Sequence, residues 1–410
     1  MHALLDAISH DYLVLLIPPI SAFVGWFTNV LAVKMMFYPT EFVGVRPLLG
    51  WQGLVPANAQ KLGKFSTRLI TTKLMRLEEL FENFSPESFT GELKPVVEQI
   101  TCEVETEVKR RAPMMWDNLA PEVQEQVREM IRGEVRATLA LVLQDLKQNI
   151  NQVVDLEEVV TKAILEDKTL VTQLFLEVGA KEFKFIERSG AYFGFLFGLI
   201  QLAVWLVYPA WWILPLAGFF VGYATNWLAL KLIFEPAEPK RIGPFVLQGL
   251  FHKRQHEVAE RFAELVSAKL LNPDNIVETI QSSTKGDFVT GIVNRQLDAL
   301  FDRYASHPMA AMLLPDTERE ALRTQIQSRV TEELPKPGGF LHTFAGRAID
   351  IRGELMERMK QLDPKSFEGV LRPAFQQDEW KLIVAGAALG LLAGVLQLVY
   401  LFEDALTKVA

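Results

Sequence analysis

The sequence predicts an all-α membrane protein whose four transmembrane helices come from a tandem parallel repeat. Three observations predict it: four apolar blocks without a charge, a motif written twice at a constant spacing, and amphipathic helical stripes between the blocks. Half of the 410 residues are apolar while 22% are charged, so the apolar residues are gathered rather than spread. A net charge of −8 with no long basic run argues against nucleic acid as a main partner. The single cysteine, Cys102, excludes an intrachain disulfide and any multi-cysteine metal site.

The apolar blocks cover residues 12–33, 190–208, 210–230 and 382–402. Each is 19 to 22 residues long, the length a helix needs to cross about 30 Å of hydrocarbon. The leader before the first block, MHALLDAISHD, is acidic, and the block is too long for a signal-peptide core, so it is expected to remain in the mature protein. Only Pro209 separates the second and third blocks, with Trp205, Tyr208, Trp211 and Trp212 around it, which predicts a helical hairpin bent at an aromatic interface belt. Four spans put both termini and this bend on one side and the long segments 34–188 and 231–380 on the other. Lys34, Arg46, Lys184, Arg188, Lys231, Lys240, Arg241 and Lys381 flank the spans on that second side, which predicts a cytoplasmic location for the long segments and periplasmic termini.

The repeat is read directly. GWFTNVLAVKMMFYP from Gly25 to Pro39 matches GYATNWLALKLIFEP from Gly222 to Pro236, with eight of fifteen positions identical at an offset of 197. Pro18 matches Pro215, and Gln52-Gly-Leu matches Gln248-Gly-Leu after a one-residue gap. Gly190, Gly194 and Gly198 match Gly386, Gly390 and Gly394. The chain therefore reads as two like-oriented units, 1–208 and 210–410, each a span, a long helical insertion and a span. Within the first insertion Val123, Val127, Ile131, Val135, Leu139, Val142, Leu146, Ile150 and Val153 recur every three or four positions behind Pro121. Pro315-Asp316 opens the equivalent stretch, Pro335–Gly339 is the expected break after it, and no β-patterned run is evident. Long antiparallel helices with facing apolar stripes are expected.

The doubled Gly-aromatic-x-Thr-Asn-x-Leu-Ala-x-Lys-x-x-Phe-x-Pro box, the Gln-Gly-Leu after it and the Gly-rich closing helix resemble the YheB/YjiN-like bacterial membrane proteins (domain of unknown function 445), over nearly the whole chain. The resemblance implies a bacterial inner-membrane protein and brings no catalytic residues with it.

The candidate site is intramembrane and polar: Thr28, Asn29 and Lys34 with Thr225, Asn226 and Lys231. An amide in hydrocarbon must find a partner. Either the asparagines and threonines bond between helices while the lysines snorkel to the boundary, or the two asparagines meet at a shared polar pathway. Lys34 sits about 140° round the helix from Asn29, so one helix cannot aim both at the same axis. Pro18 and Pro215 are expected to kink their spans, and Gly25, Gly222 and the two glycine ladders to allow close helix packing. The segment FVGVRPLLGWQGLV, 42–55, reads as re-entrant or interfacial. Lys61, Lys64 and Arg68 share a helical face, either an anionic-lipid contact or an ordinary solvated surface.

His252 and His256 have the spacing of a zinc pair without the glutamate of a metalloprotease, and no cofactor, metal or enzymatic motif is expected. Two functions remain. A transport-type protein would move a lipid or small polar solute through the polar site. A membrane-anchored scaffold would work through its cytoplasmic helices, with membrane lipids and further copies of itself, a homo-oligomer, as partners.

Overall fold

The computed structural model describes residues 12–45, 49–59, 61–63, 77, 85–89, 91–167, 169–305, 316–347, 350–372 and 379–401. In chain order its main elements are α1 (Ile17–Phe37), β1 (Val43–Val45), β2 (Leu49–Trp51), α2 (Lys94–Arg111), α3 (Pro121–Gln148), α4 (Ala180–Val207), α5 (Ile213–Phe234), β3 (Lys240–Ile242), β4 (Phe245–Leu247), α6 (Thr284–Ala305), α7 (Asp316–Glu333) and α8 (Glu379–Leu401). Short helices fill most of the remainder. The chain separates into two compact units, each drawing on both halves of the sequence: Met1–Ser66 with Ile164–Leu265 and Met356–Ala410, and Thr67–Ala163 with Val266–Leu355.

The first unit holds α1, α4, α5 and α8, the four helices long and apolar enough to cross a membrane. Their outer faces carry exposed Phe23, Tyr192, Ile200, Phe220, Leu392 and Tyr400, a surface suited to lipid. Helix α1 continues from a 3-10 turn, Tyr12–Leu16, and ends where Pro39 cannot extend it, with the Tyr38 N–H on the Lys34 carbonyl at 2.8 Å. Helix α5 ends in the same way before Pro236, with the Glu235 N–H on the Lys231 carbonyl at 2.8 Å. The turn between α4 and α5 is closed by a buried cluster of Trp205, Ile213, Leu214, Val14, Ile17 and Leu398. Helix α1 packs along α4 and α5 along α8, and α4–α5 and α1–α8 contacts join the two pairs.

Two expectations are corrected. Pro18 lies in the first turn of α1 and Pro215 in that of α5, rather than midway along the spans. Pro215 there has no helical N–H bond to break, and Pro18 falls where the 3-10 turn passes into the α-helix. No β-patterned run is expected, yet the segment read as re-entrant or interfacial holds a β-hairpin, with Val43 paired to Trp51 and Val45 to Leu49, and a second hairpin pairs Lys240 with Leu247 and Ile242 with Phe245. Gly243, at φ 60°, turns the second hairpin with Pro244, a conformation glycine adopts freely.

The second unit is a ring of four helices. Helix α2 packs on α3, α3 on α6, α6 on α7 and α7 on α2. Neighbours run antiparallel, as polar cross-links show. Arg132 bonds Glu98 at 2.8 Å and Arg128 bonds Glu105 at 2.9 Å across α2–α3. Gln296 reaches Asp145 at 2.8 Å across α3–α6, and Gln327 reaches Asp298 at 2.6 Å across α6–α7. Arg111 bonds Glu318 at 2.8 Å and Gln99 bonds Glu333 at 3.0 Å across α2–α7. The expected stripe on α3 faces inward from Val135 on, where Val135, Leu139, Val142 and Leu146 are buried, while Val123 at its start is exposed. Pro335–Gly339 forms the turn after α7, with Gly338 at φ 76°.

Candidate functional site

Asn29 and Asn226 are wholly buried, and each is committed to the main chain of the span beside it. Asn29 Nδ2 donates to the Ile186 carbonyl at 2.7 Å, and Asn226 Nδ2 donates to the Leu382 carbonyl at 3.0 Å. The Ile186 carbonyl also accepts from Ser189 Oγ at 2.9 Å. Thr28 and Thr225 turn back on their own helices, to the Gly25 carbonyl at 3.2 Å and the Gly222 carbonyl at 3.4 Å. These residues therefore bond within and between paired helices. Asn29 Oδ1 is left buried without a hydrogen-bond partner, at a cost of about 1–3 kcal/mol.

The glycines explain how an amide reaches a helical carbonyl. A methyl on Gly25 would strike the Gly190 carbonyl oxygen and come within 3.2 Å of the Gly194 Cα. A methyl on Gly190 would lie 2.7 Å from Asn29 Nδ2, and one on Gly198 would lie 2.7 Å from the Pro18 Cα. In the other pair, Gly222 faces the Gly386 carbonyl, Gly218 and Gly390 face each other, Gly386 faces the Asn226 amide and Gly394 lies 2.8 Å from the Pro215 Cα by the same measure. The ladders let backbones touch, so no side chain stands between the asparagines and their acceptors. One difference separates the pairs. Ser21 Oγ donates to Gln201 Oε1 at 2.9 Å, whereas Gln397 on α8 is buried with its Nε2 unpartnered.

The lysines do not join the asparagines. Lys34 and Lys231 are exposed near the ends of their spans; Lys231 sits 4.8 Å from the centre of the Trp227 ring and 3.6 Å from Glu235. Cavities of about 330 and 30 Å³ lie in this unit. The first is lined by Phe197, Val204, Trp212 and Phe220, the second by Met36, Phe183, Ile233 and Phe251, and neither is lined by Asn29 or Asn226. Lys61 is exposed, and Lys64 and Arg68 lie outside the described residues.

His252 has a structural setting that its spacing from His256 did not suggest. It is buried, its Nε2 is 3.1 Å from the Phe234 carbonyl and 3.5 Å from Glu368, and Glu368 is held by Arg372. His256 is exposed, so the two imidazoles do not share a site. Burial lowers the His252 pKa, which keeps the ring neutral and its Nε2–H available to the Phe234 carbonyl. Nearby, Arg254 bonds buried Glu182 and Glu257, and with Lys181 it holds Glu257 down at about pKa 2.

Sequence reasoning missed a cavity in the helical unit. About 220 Å³ lies inside the ring of α2, α3, α6 and α7, walled by Ile100, Val135, Leu139, Leu297, Leu322 and Phe340 among others. Its polar neighbours are Gln99, Thr138, Glu134 and Glu333. The α3 stripe pointed to an apolar interior without revealing that the interior stays partly open.

No protein-family profile matches the chain, and no solved structure matches it. Among known proteins it is similar to a UPF0754 membrane protein of Exiguobacterium sibiricum, 26% identical over 140 residues, 33% of this chain and 36% of that protein. A UPF0754 membrane protein of Synechococcus sp. is 26% identical over 180 residues, 40% of this chain and 43% of that one. Another, of Bacillus pumilus, is 37% identical over 86 residues, 20% of this chain and 22% of the relative. The chain spans less than half the length of these relatives. They are bacterial membrane proteins, under a different family label from the one the doubled box resembles.

Proposed function

We propose that this chain is a multi-pass protein of the bacterial inner membrane whose spans form a packed anchor and whose helical insertions, on the cytoplasmic side, do the work. It acts as a membrane-anchored scaffold, not a conduit. The observation that carries this reading is the commitment of both asparagines: each amide is bonded to the main chain of the paired span, with glycine backbone filling the space beside it. A pathway needs polar groups facing a void, and the 330 and 30 Å³ cavities among the described residues of this unit are lined by other, mainly apolar residues.

The tandem parallel repeat is part of the proposal. It is supported by the equivalent contacts of Gly25 with Gly190 and of Gly222 with Gly386, and by the hairpin that follows each of α1 and α5. The cytoplasmic placement rests on the lysine and arginine bias around the spans, with Lys34 and Lys231 exposed at their ends. Membrane lipids and further copies of the chain remain the expected partners, and the reading assigns no enzymatic activity.

The test is flux. The full chain, reconstituted into phospholipid vesicles, is assayed for scrambling of a fluorescent phospholipid and for release of an entrapped small polar dye. Rates equal to those of protein-free vesicles are expected. Flux above that background, abolished in a folded N29A/N226A double variant, would overturn the anchor reading and restore the conduit.

A further inference from the structure

The helical unit holds a feature that the anchor reading does not use. The cavity inside the ring of α2, α3, α6 and α7 has a volume of about 220 Å³. It exceeds the roughly 150 Å³ apolar cavity that stays dry in water and takes up benzene in an engineered protein. Its lining on α3 runs from Met130 to Val142 and on α7 from Leu322 to Glu333, so the walls extend over about 16–18 Å of helix. A round void of the same volume would touch only about two turns. That spread of lining residues suits an extended hydrocarbon chain better than a compact ring system.

The few polar groups define which part of a ligand enters. Glu333 accepts from Gln99 and is paired with Lys336, and Glu134 lies 3.7 Å from Arg303. With both carboxylates already paired to cations, the wall offers a headgroup little to bond, while the Val, Leu, Ile and Phe side chains around them accept a tail. An aqueous solute would meet a surface with almost no hydrogen bonds to offer. The bilayer that the four apolar helices call for is itself a source of acyl chains.

We propose that the helical unit binds a single unbranched acyl chain, tail first, in this cavity, with the headgroup left outside. The proposal deepens the reading of the insertions as the working part of the protein and rests on it. Its test reads ligand binding rather than flux, so either idea can fail without the other.

The experiment uses the full chain in lipid nanodiscs with a diazirine-bearing palmitic acid, photoactivated and mapped by peptide mass spectrometry. A parallel arm uses a phosphatidylcholine with a diazirine on one acyl chain, which separates a free fatty acid from the tail of a membrane lipid. Saturable labelling of Val135, Leu139, Leu297 or Leu322 is expected from at least one probe. Val135→Phe and Val293→Phe, which fill the cavity, should each reduce that labelling at least tenfold. Val123→Phe, at an exposed position on the same helix, should leave it unchanged. Unfolding temperatures of the filled variants at or above that of the parent show that they fold. Labelling confined to the spans, non-saturable labelling across all helices, or labelling that persists in both folded, filled variants would each overturn the proposal. So would failure of both probes to label the cavity.

Discussion

A single methyl group at Gly190 distinguishes a packed helix pair from a polar pathway. The added carbon would strike the Gly25 carbonyl and lie 2.7 Å from Asn29 Nδ2, contacts with backbone on one side and a fixed amide on the other. Helices α1 and α4 must separate to admit it, and overpacking of this kind costs about 1–3 kcal/mol. Separation also lengthens the 2.7 Å bond from Asn29 to the Ile186 carbonyl, and an interhelical bond inside a membrane contributes about 0.6 kcal/mol and at most about 1.7. The expected loss for Gly190→Ala is therefore about 2–4 kcal/mol. Asn29→Ala loses only the bond and also removes the unpartnered Oδ1, so its cost should be about 1 kcal/mol or less. The ranking matters more than either number.

Denaturant-driven unfolding in a fixed bicelle composition, read by tryptophan fluorescence, measures both variants on one scale. Gly386→Ala and Asn226→Ala repeat the comparison in the α5–α8 pair, where the added methyl meets the Asn226 amide. The reasoning fails if the alanine-for-glycine variants are as stable as the parent. It also fails if the asparagine variants prove the more damaging, since an amide worth more than the helix contact it bridges would be serving something other than packing.

Gly133→Ala and Gly291→Ala should stabilise the helical unit by about 0.5–1 kcal/mol each, because nothing lies within 4 Å of the added carbon and alanine holds a helix better; thermal unfolding of each variant checks it. Glu105 is held down at about pKa 2 by its hydrogen bonds to Arg128, so its contribution to stability is present above its ordinary value of 4.5 and is lost as pH falls from there toward 2. Arg128→Ala should flatten the pH dependence of unfolding in that window, by less than the shift alone implies because the pair is partly open to solvent. His252 is held below its ordinary value of 6.5 by burial, so stability should fall as pH drops below 6.5; His252→Gln, which keeps a donor for the Phe234 carbonyl, should remove that dependence in a pH titration of unfolding.

The spans were legible because length and charge-free composition are properties of the sequence itself, yet their helical limits were not. Helix α4 begins at Ala180, ten residues before the apolar block at Gly190, since Lys181–Ser189 is helix-compatible and only its polarity differs. The glycine ladders were legible as close-packing stripes, and they pack closely. The acceptors of the two asparagines were not, because a helical carbonyl has no signature in the sequence. The hairpins escaped notice because three-residue strands are too short to show an alternating pattern, although the Gly243-Pro244 turn was a usable signal. His252 and His256, which were not expected to hold a metal, would share a face through their i, i+4 spacing only if the helix continued. Here it is interrupted at Arg254, between Leu250–Lys253 and Gln255–Leu265.

The space beside the two asparagines and the space inside the helical ring are filled differently. Among the spans, glycines bring backbones into contact, and the space beside each asparagine is closed. In the helical ring, side chains of similar type leave about 220 Å³ unfilled. At about 24 cal/mol per Å³, a closed and empty cavity of that size would cost roughly 5 kcal/mol, which is the upper bound here because the space is partly open. Substituting Val135 and Val293 with larger apolar residues would recover part of that cost, so filling should raise the unfolding temperature by several degrees if nothing occupies the space. A bound acyl chain repays the same cost through its own burial, at about 0.8 kcal/mol per methylene. The two cases then separate. If the cavity is a ligand site, filling stabilises the delipidated protein more than the protein purified with its lipid, and equal stabilisation of both would mean that the space is only a packing defect.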